Sequence, residues 1–128
     1  MKKILLLTIF ILSLSLEYSI IGYSKVSFSI PPKKNVLVVF NRKTHFNDLF
    51  FLKNKVLKEN GIVINYQNLK FDNEGDLISI EIIVDCKDGF CGTARENHLT
   101  NSSQFGFKRI YSGHPNTPFE IGTLSSLW

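Results

Sequence analysis

The stretch Leu77–Lys87 constrains the fold of this chain more than any other. Apolar side chains alternate there with a second set of mostly polar ones; the apolar positions are Ile78, Ile80, Ile82, Val84 and Cys86. A period of two residues is typical of a β-strand with one buried face. Asp88-Gly89 follows and indicates a two-residue hairpin turn, after which Phe90–Arg95 predicts a returning strand. The chain therefore contains an antiparallel sheet with one apolar face.

The segments around this hairpin predict one helix and three further strands. The compact apolar run Val36–Phe40 and the stretches Ile62–Phe71 and Phe105–Tyr111 are predicted as strands. Thr44 is a predicted N-cap for a helix that ends at Asn60, before Gly61. The fold class is therefore α+β, with one helix packed on a three- to five-stranded, mainly antiparallel sheet in the order β-α-β-β-β.

The predicted helix carries apolar residues at spacings of three and four, which predicts one core-facing stripe. The members of that stripe are Phe46, Leu49, Phe50, Lys53, Val56 and Leu57, with the Lys53 stem at its edge. Phe51 and Leu52 lie off the stripe. Either the stripe is wide, or these two residues contact a partner.

The first 24 residues predict a secretory signal peptide. Two lysines precede the apolar stretch Ile4–Leu16, and we expect cleavage after Ser24. An uncleaved membrane anchor is the alternative. We divide the rest into an extended leader (25–35), one α+β domain (36–112) and an irregular C-terminal tail (113–128), because 128 residues allow a single domain. The expected location is secreted or periplasmic.

Cys86 and Cys91 are the only two cysteines. With Asp88-Gly89 as the two loop residues, Cys86 faces Cys91 across the hairpin, at a position where the two side chains lie close together. Since export favours disulfides, we expect a cross-strand disulfide. Two reduced thiols, or a redox-active or metal-binding pair, are the alternatives, although the spacing is not C-x-x-C.

The sequence holds no catalytic, cofactor-binding or metal-binding motif that we recognise. His45, His98 and His114 are dispersed and do not form H-E-x-x-H, so we predict no catalytic residue, no metal ligand and no cofactor. After cleavage 13 basic and 10 acidic side chains remain, a net charge of +3 that is low for a nucleic-acid-binding protein. A small hydrolase built on His98 or His114 and a carboxylate is a minor alternative.

The region from Val36 to about Thr93 resembles small exported domains of Bacteroidota that accompany membrane zinc peptidases of the beta-lactam-sensor (antirepressor) type. The shared features are VLVVF, Thr44 with Asp48, Lys58-Glu59-Asn60-Gly61, Tyr66, Asn73-Glu74-Gly75, Ile78–Val84 and Asp88-Gly89. The resemblance implies an extracytoplasmic accessory or sensing module. It does not imply peptidase activity, because the H-E-x-x-H motif is missing.

We therefore expect a non-enzymatic exported binding or sensing module that recognises a protein or an envelope component. Membrane contact is expected only if the signal segment is retained. The predicted binding face is the solvent side of the sheet, formed by Asn65, Gln67, Glu81, Ile83, Asp85 and Phe90. An alternative is a secreted inhibitor or effector that inserts either the loop Asn97–Gln104 or the tip at Asp88-Gly89 into a cleft.

Overall fold

The computed structural model describes residues 30–128, and the predicted signal peptide lies outside this range. Residues 30–35 belong to no helix or strand, as expected for the leader. One helix and six strands follow: β1 (Val36–Phe40), α1 (Phe46–Asn60), β2 (Val63–Phe71), β3 (Leu77–Asp85), β4 (Cys91–Glu96), β5 (Phe105–Arg109) and β6 (Phe119–Thr123). No helix among these residues is long and apolar enough to cross a membrane.

The α+β class is confirmed, but the strands form two sheets of three. One sheet has the order β1-β5-β6 and the other β2-β3-β4, and all neighbouring strands are antiparallel. We call them sheet A and sheet B. The two sheets meet where β4 approaches β6: a Cβ atom added at Gly92 would lie 2.9 Å from the Ile121 side chain, so a larger residue there would require that side chain to shift.

The core is one cluster to which both sheets and α1 contribute. From β1 come Val36, Val38 and Phe40, whose alternation places every second side chain inward. Sheet B and the loop after it add a second set of fully buried or nearly buried residues: Ile64, Leu77, Ile80, Ile82, Val84, Cys86 and Leu99. The alternation read from Leu77–Lys87 is thus confirmed from Ile80 to Cys86, whereas at the start of β3 Leu77 and Ser79 are buried and Ile78 is only half-buried.

The expectation of an irregular C-terminal tail is wrong for β6, which pairs with β5 along its whole length. The chain then turns back, with the Leu124 N–H donating to the Gln104 carbonyl at 2.8 Å. Lys108 Nζ donates to the Ser126 carbonyl at 3.0 Å and pairs with Glu120 at 3.4 Å. These contacts bury Lys108 beneath the C-terminal segment. Pro115 and Pro118 before β6 and two serines after it hid this short strand in the sequence.

The tip of the β3–β4 hairpin is tied to sheet A by Arg109. Its guanidinium donates two hydrogen bonds to Asp88 Oδ2, at 3.0 and 2.8 Å. It lies between the rings of Phe90 and Tyr111, 4.4 and 4.5 Å from their centroids. A charged group that is nearly buried needs such partners, so this cluster fixes the position of the hairpin tip.

Candidate binding surface

Helix α1 begins one residue later than predicted. His45, not Thr44, is the N-cap, and its backbone N–H donates to the Asp48 carboxylate at 2.8 Å. Thr44 is buried, and its hydroxyl accepts the Asn41 N–H at 3.1 Å. The predicted end is confirmed: Gly61 has a left-handed backbone with φ of 71°, and its N–H donates to the Leu57 carbonyl.

The predicted core-facing stripe of α1 is wrong for half of its members. Leu49 and Val56 are buried, at 2% and 5% exposure, and Leu52 packs against the core beside them. Phe46, Phe50 and Leu57 are instead 65%, 68% and 48% exposed. The helix buries the side that runs through positions 49, 52 and 56, rather than the more aromatic side next to it. Spacing alone could not distinguish two adjacent apolar sides of one helix.

The exposed apolar side chains of α1 form what we call the aromatic face, defined by Phe46, Phe50, Phe51 and Leu57. Phe51 is 64% exposed, and the Lys55 Nζ lies 5.9 Å from its ring centroid. Four large apolar residues that are about half exposed or more on one 15-residue helix are unusual for a surface in contact with water alone.

A shallow groove of about 170 Å³ lies between the aromatic face and β2. Its lining residues are Phe46, Leu49, Phe50, Lys53, Tyr66 and Leu69. The Phe46 ring extends this surface to the end of β2, with its centroid 6.2 Å from that of Phe71. The groove is apolar at its base and open to solvent along the helix.

Tyr66 fixes the distance between α1 and β2. Its hydroxyl donates to the Leu49 carbonyl at 2.9 Å, and its ring meets Phe40 edge to face at 5.9 Å. Burial raises the pKa of the Tyr66 hydroxyl far above 10.0, so this group stays protonated and keeps its donor role. Tyr66 therefore connects the base of the groove to the backbone of α1.

Charge is distributed unevenly over the domain. Residues 33–70 hold eight basic and two acidic side chains, a net charge of +6, whereas residues 71–128 hold four basic and eight acidic ones, a net charge of −4. Lys53, Lys55 and Lys58 belong to α1 itself, and Lys53 Nζ donates to Asn65 Oδ1 at 3.3 Å. The aromatic face thus lies in the basic half of the sequence.

Most of the predicted binding face is brought together as expected. Asn65 pairs with Ile83 and Gln67 pairs with Glu81, so these four residues and Asp85 share the outer side of sheet B. The β4 residues opposite them are Cys91, Thr93 and Arg95. This outer face is mostly polar. Of its three β3 residues, Glu81, Ile83 and Asp85, only Ile83 is apolar.

Phe90 does not belong to this outer face. Its ring lies against Arg109 and is 6.1 Å from the Phe119 ring, and it packs against the core. The hairpin loop is one residue longer than predicted, and this change of register turns Phe90 to the other side of the sheet.

The same register change separates the two cysteines. Asp85, not Cys86, pairs with Cys91, and the Cys86 N–H donates to the Phe90 carbonyl. Cys86 is buried on the inner side of sheet B, and Cys91 is exposed on the outer side. Both are free thiols, so the predicted pairing of Cys86 with Cys91 is wrong. Burial raises the pKa of the Cys86 thiol to about 11.

Among residues 30–128, the one cluster of three potential metal ligands is Asp72, Glu74 and Asp76, in the β2–β3 turn. The Asp72 carboxylate is already occupied: it accepts the backbone N–H groups of Glu74 and Asp76 and pairs with Arg42 at 3.0 Å. These contacts hold the pKa of Asp72 below its usual value. The cluster is therefore accounted for as a turn. The three histidines are all exposed, and none belongs to it.

The two regions proposed for an inhibitor are anchored to the body of the domain. Leu99 is buried, its N–H donates to the Ile78 carbonyl, and the Thr100 carbonyl accepts the Arg42 N–H. The hairpin tip is held by the Asp88–Arg109 pair at 2.8 Å. Asn97, His98 and Asn101 remain exposed in the loop.

Comparison of the chain with protein-family models, with curated proteins and with solved structures gave no match.

Proposed function

We propose that the protein is a non-enzymatic exported binding module that docks on a negatively charged component of the cell envelope through the aromatic face of α1. The observation that carries this proposal is the exposure of Phe46, Phe50, Phe51 and Leu57 on one helix. Leaving these side chains in water costs free energy that a partner would recover by covering them. The negative charge of the partner follows from the net charge of +6 on residues 33–70.

The helix face is a better candidate than the outer face of sheet B. Binding energy concentrates in a few large apolar or aromatic residues surrounded by polar ones. On the outer face of sheet B the apolar residues are Ile83 and Val63, which lies opposite Asp85; both are half-buried and neither is aromatic. Export itself rests on the predicted signal segment, and the accessory role implied by the resemblance stays a hypothesis. No structural observation on residues 30–128 specifically favours the alternative of a secreted inhibitor.

Binding to envelopes of the producing cell tests the proposal. We expect the triple variant F46S/F50S/L57S to lose envelope binding, because it removes three exposed apolar anchors and none of the buried ones. The matched control Q67S/C91S/T93S changes three exposed positions on sheet B and should bind like the unchanged chain. Thermal unfolding of both variants checks that the fold is kept. Equal envelope binding by the two variants would exclude α1 as the docking surface.

A further inference from the structure

We infer that the component bound by the aromatic face is the anionic surface of a lipid bilayer, with α1 lying in the headgroup region parallel to the membrane. This inference rests on the proposed function and specifies its partner. It is carried by the arrangement of aromatic and basic side chains around α1 and by the uneven charge of the chain.

The first argument is the position of the exposed residues around the helix. At about 100° per residue, Phe46, Leu57 and Phe50 lie within roughly 40° of each other, and Phe51 lies about 100° further round. Asn54, Asn47 and Lys58 fall between Phe50 and Phe51, and Lys55 falls about 40° beyond Phe51. The exposed arc is therefore wide and convex. A wide apolar and basic arc suits a fluid interface, whereas protein hot spots are compact and fit into closely packed pockets.

The second argument is the placement of charge on α1. Its two acidic residues, Asp48 and Glu59, lie at the edge of the arc, about 20° and 40° beyond Lys55, and Asp48 is occupied by the His45 N–H. Lys55 and Lys58 are exposed on the arc. Lysine stems can lie along apolar surface while their ammonium groups reach lipid phosphates. Phe and Leu inserted between basic residues are the composition expected of an interfacial helix.

The third argument concerns orientation. With +6 on residues 33–70 and −4 on residues 71–128, an anionic surface attracts the part of the chain that holds α1 and repels the part that holds most of sheet B. The charge asymmetry would therefore orient the domain before any side chain inserts.

Tryptophan fluorescence in the full chain tests this inference directly. Trp128 is the only tryptophan, so Trp128→Phe gives a dark background. Phe50→Trp in that background is the α1 probe, and Thr93→Trp, an exposed position on sheet B, is the matched sheet probe. Each is mixed with vesicles of phosphatidylglycerol and phosphatidylcholine, or of phosphatidylcholine alone, with brominated lipid as quencher.

We expect the α1 probe to shift its emission to shorter wavelength and to be quenched in the anionic vesicles, while the sheet probe stays unchanged. Because the readout is local, attachment of the chain through its N-terminal segment cannot produce this difference. Equal quenching of the two probes, or quenching of neither, would overturn the inference.

Charge reversal gives a second measurement. K55E/K58E should weaken binding to anionic vesicles by about tenfold or more, since each lysine near such a surface contributes several-fold to binding. K87E/R95E makes the same change in net charge on sheet B and its hairpin, and it should leave binding nearly unchanged. Equal losses in the two variants would show that net charge, not α1, determines binding, and would contradict the inference.

Protease treatment of the envelopes separates failure of the inference from failure of the proposed function. Binding that depends on Phe46, Phe50 and Leu57 and survives digestion supports a lipid partner. Binding that depends on them and is lost on digestion overturns the lipid inference but keeps the proposed function, with an acidic protein as the partner. Binding indifferent to these residues overturns both.

Discussion

The aromatic face of α1 and the outer face of sheet B are both solvent-exposed, but they expose different chemical groups to water. The first exposes three phenylalanines and a leucine among lysines. The second exposes amide and carboxylate groups that hydrogen-bond to neighbours, such as Glu81 with Asn68 and Asp85 with Lys87. A sheet face with satisfied polar groups needs no partner, whereas an exposed aromatic helix lowers its free energy by finding one.

The largest expected effect compares two adjacent residues of α1. Leu49→Ala should lower the free energy of unfolding by about 3 kcal/mol, because Leu49 is 2% exposed and its loss leaves a cavity. Phe50→Ala should change it by less than about 1 kcal/mol, because Phe50 is 68% exposed. Urea unfolding measures both. A Phe50→Ala variant as unstable as Leu49→Ala would place the aromatic face in a core.

This pair also shows where sequence reasoning succeeded on α1 and where it failed. The helix, its end at Gly61 and the burial of Leu49 and Val56 followed from spacing and capping. The exposure of Phe46 and Phe50 did not, because hydrophobicity favours burying them and spacing alone does not show which side of the helix packs on the core. Of the two off-stripe residues, Phe51 is exposed and Leu52 packs against the core, so the off-stripe position alone did not distinguish a wide stripe from contact with a partner.

The second effect compares the two sides of sheet B through the two cysteines. Cys91 is exposed and should react with a thiol reagent in the folded protein, whereas Cys86 is buried. The pKa of the Cys86 thiol is raised from 9.0 to about 11. Near neutral pH its thiolate fraction is therefore about a hundredfold smaller than that of a thiol with a pKa of 9.0. Alkylation rates followed by mass spectrometry measure the difference. Complete protection of both thiols until a reductant is added would restore the disulfide predicted from the sequence.

The cysteines show how far a turn motif can specify a register. Asp88-Gly89 correctly indicated the hairpin, and the strands on both sides were found. The loop nevertheless closes with Asp85 opposite Cys91, and Lys87 adopts a left-handed backbone with φ of 57°. The Asp88–Arg109 pair holds this loop from another strand. The local sequence does not reveal this tertiary contact. It accompanies a hairpin loop that is one residue longer than predicted, and that extra residue turns Phe90 inward and separates the two cysteines.

A smaller effect is expected for Ile83→Ala on the outer face of sheet B. Ile83 is half-buried between Asn65 and Thr93, so its truncation should cost about 1 kcal/mol. Binding to envelopes and to vesicles should not change, because β3 places no second apolar residue next to Ile83 on the outer face of sheet B. Thermal unfolding and vesicle flotation of one preparation measure both properties. A variant that kept its stability but lost binding would return the binding site to the face predicted from the sequence.

The smallest effect concerns the acid sensitivity of the outer face. The Asp85 carboxylate accepts the Lys87 backbone N–H at 2.8 Å and pairs with the Lys87 ammonium at 3.0 Å, and these contacts lower its pKa below 3.8. A carboxyl group whose pKa is lower in the folded state than in the unfolded state stabilises the fold when the pH is above its unfolded-state pKa. This stabilisation is lost as the pH falls through the folded-state pKa. Because Asp85 is exposed, solvent screens the pair and the contribution is small.

Asp85→Asn should therefore make the fall in thermal midpoint below about pH 4 slightly shallower, without changing vesicle binding near neutral pH. Most of the acid sensitivity should remain, because Asp72 and Glu120 also have lowered pKa values and keep their backbone N–H donors. Thermal unfolding across the acid range, compared with the unchanged chain, measures this. If the variant also weakened binding to anionic vesicles, the acidic residues of sheet B would be part of the docking surface, and the contrast between the two faces would not hold.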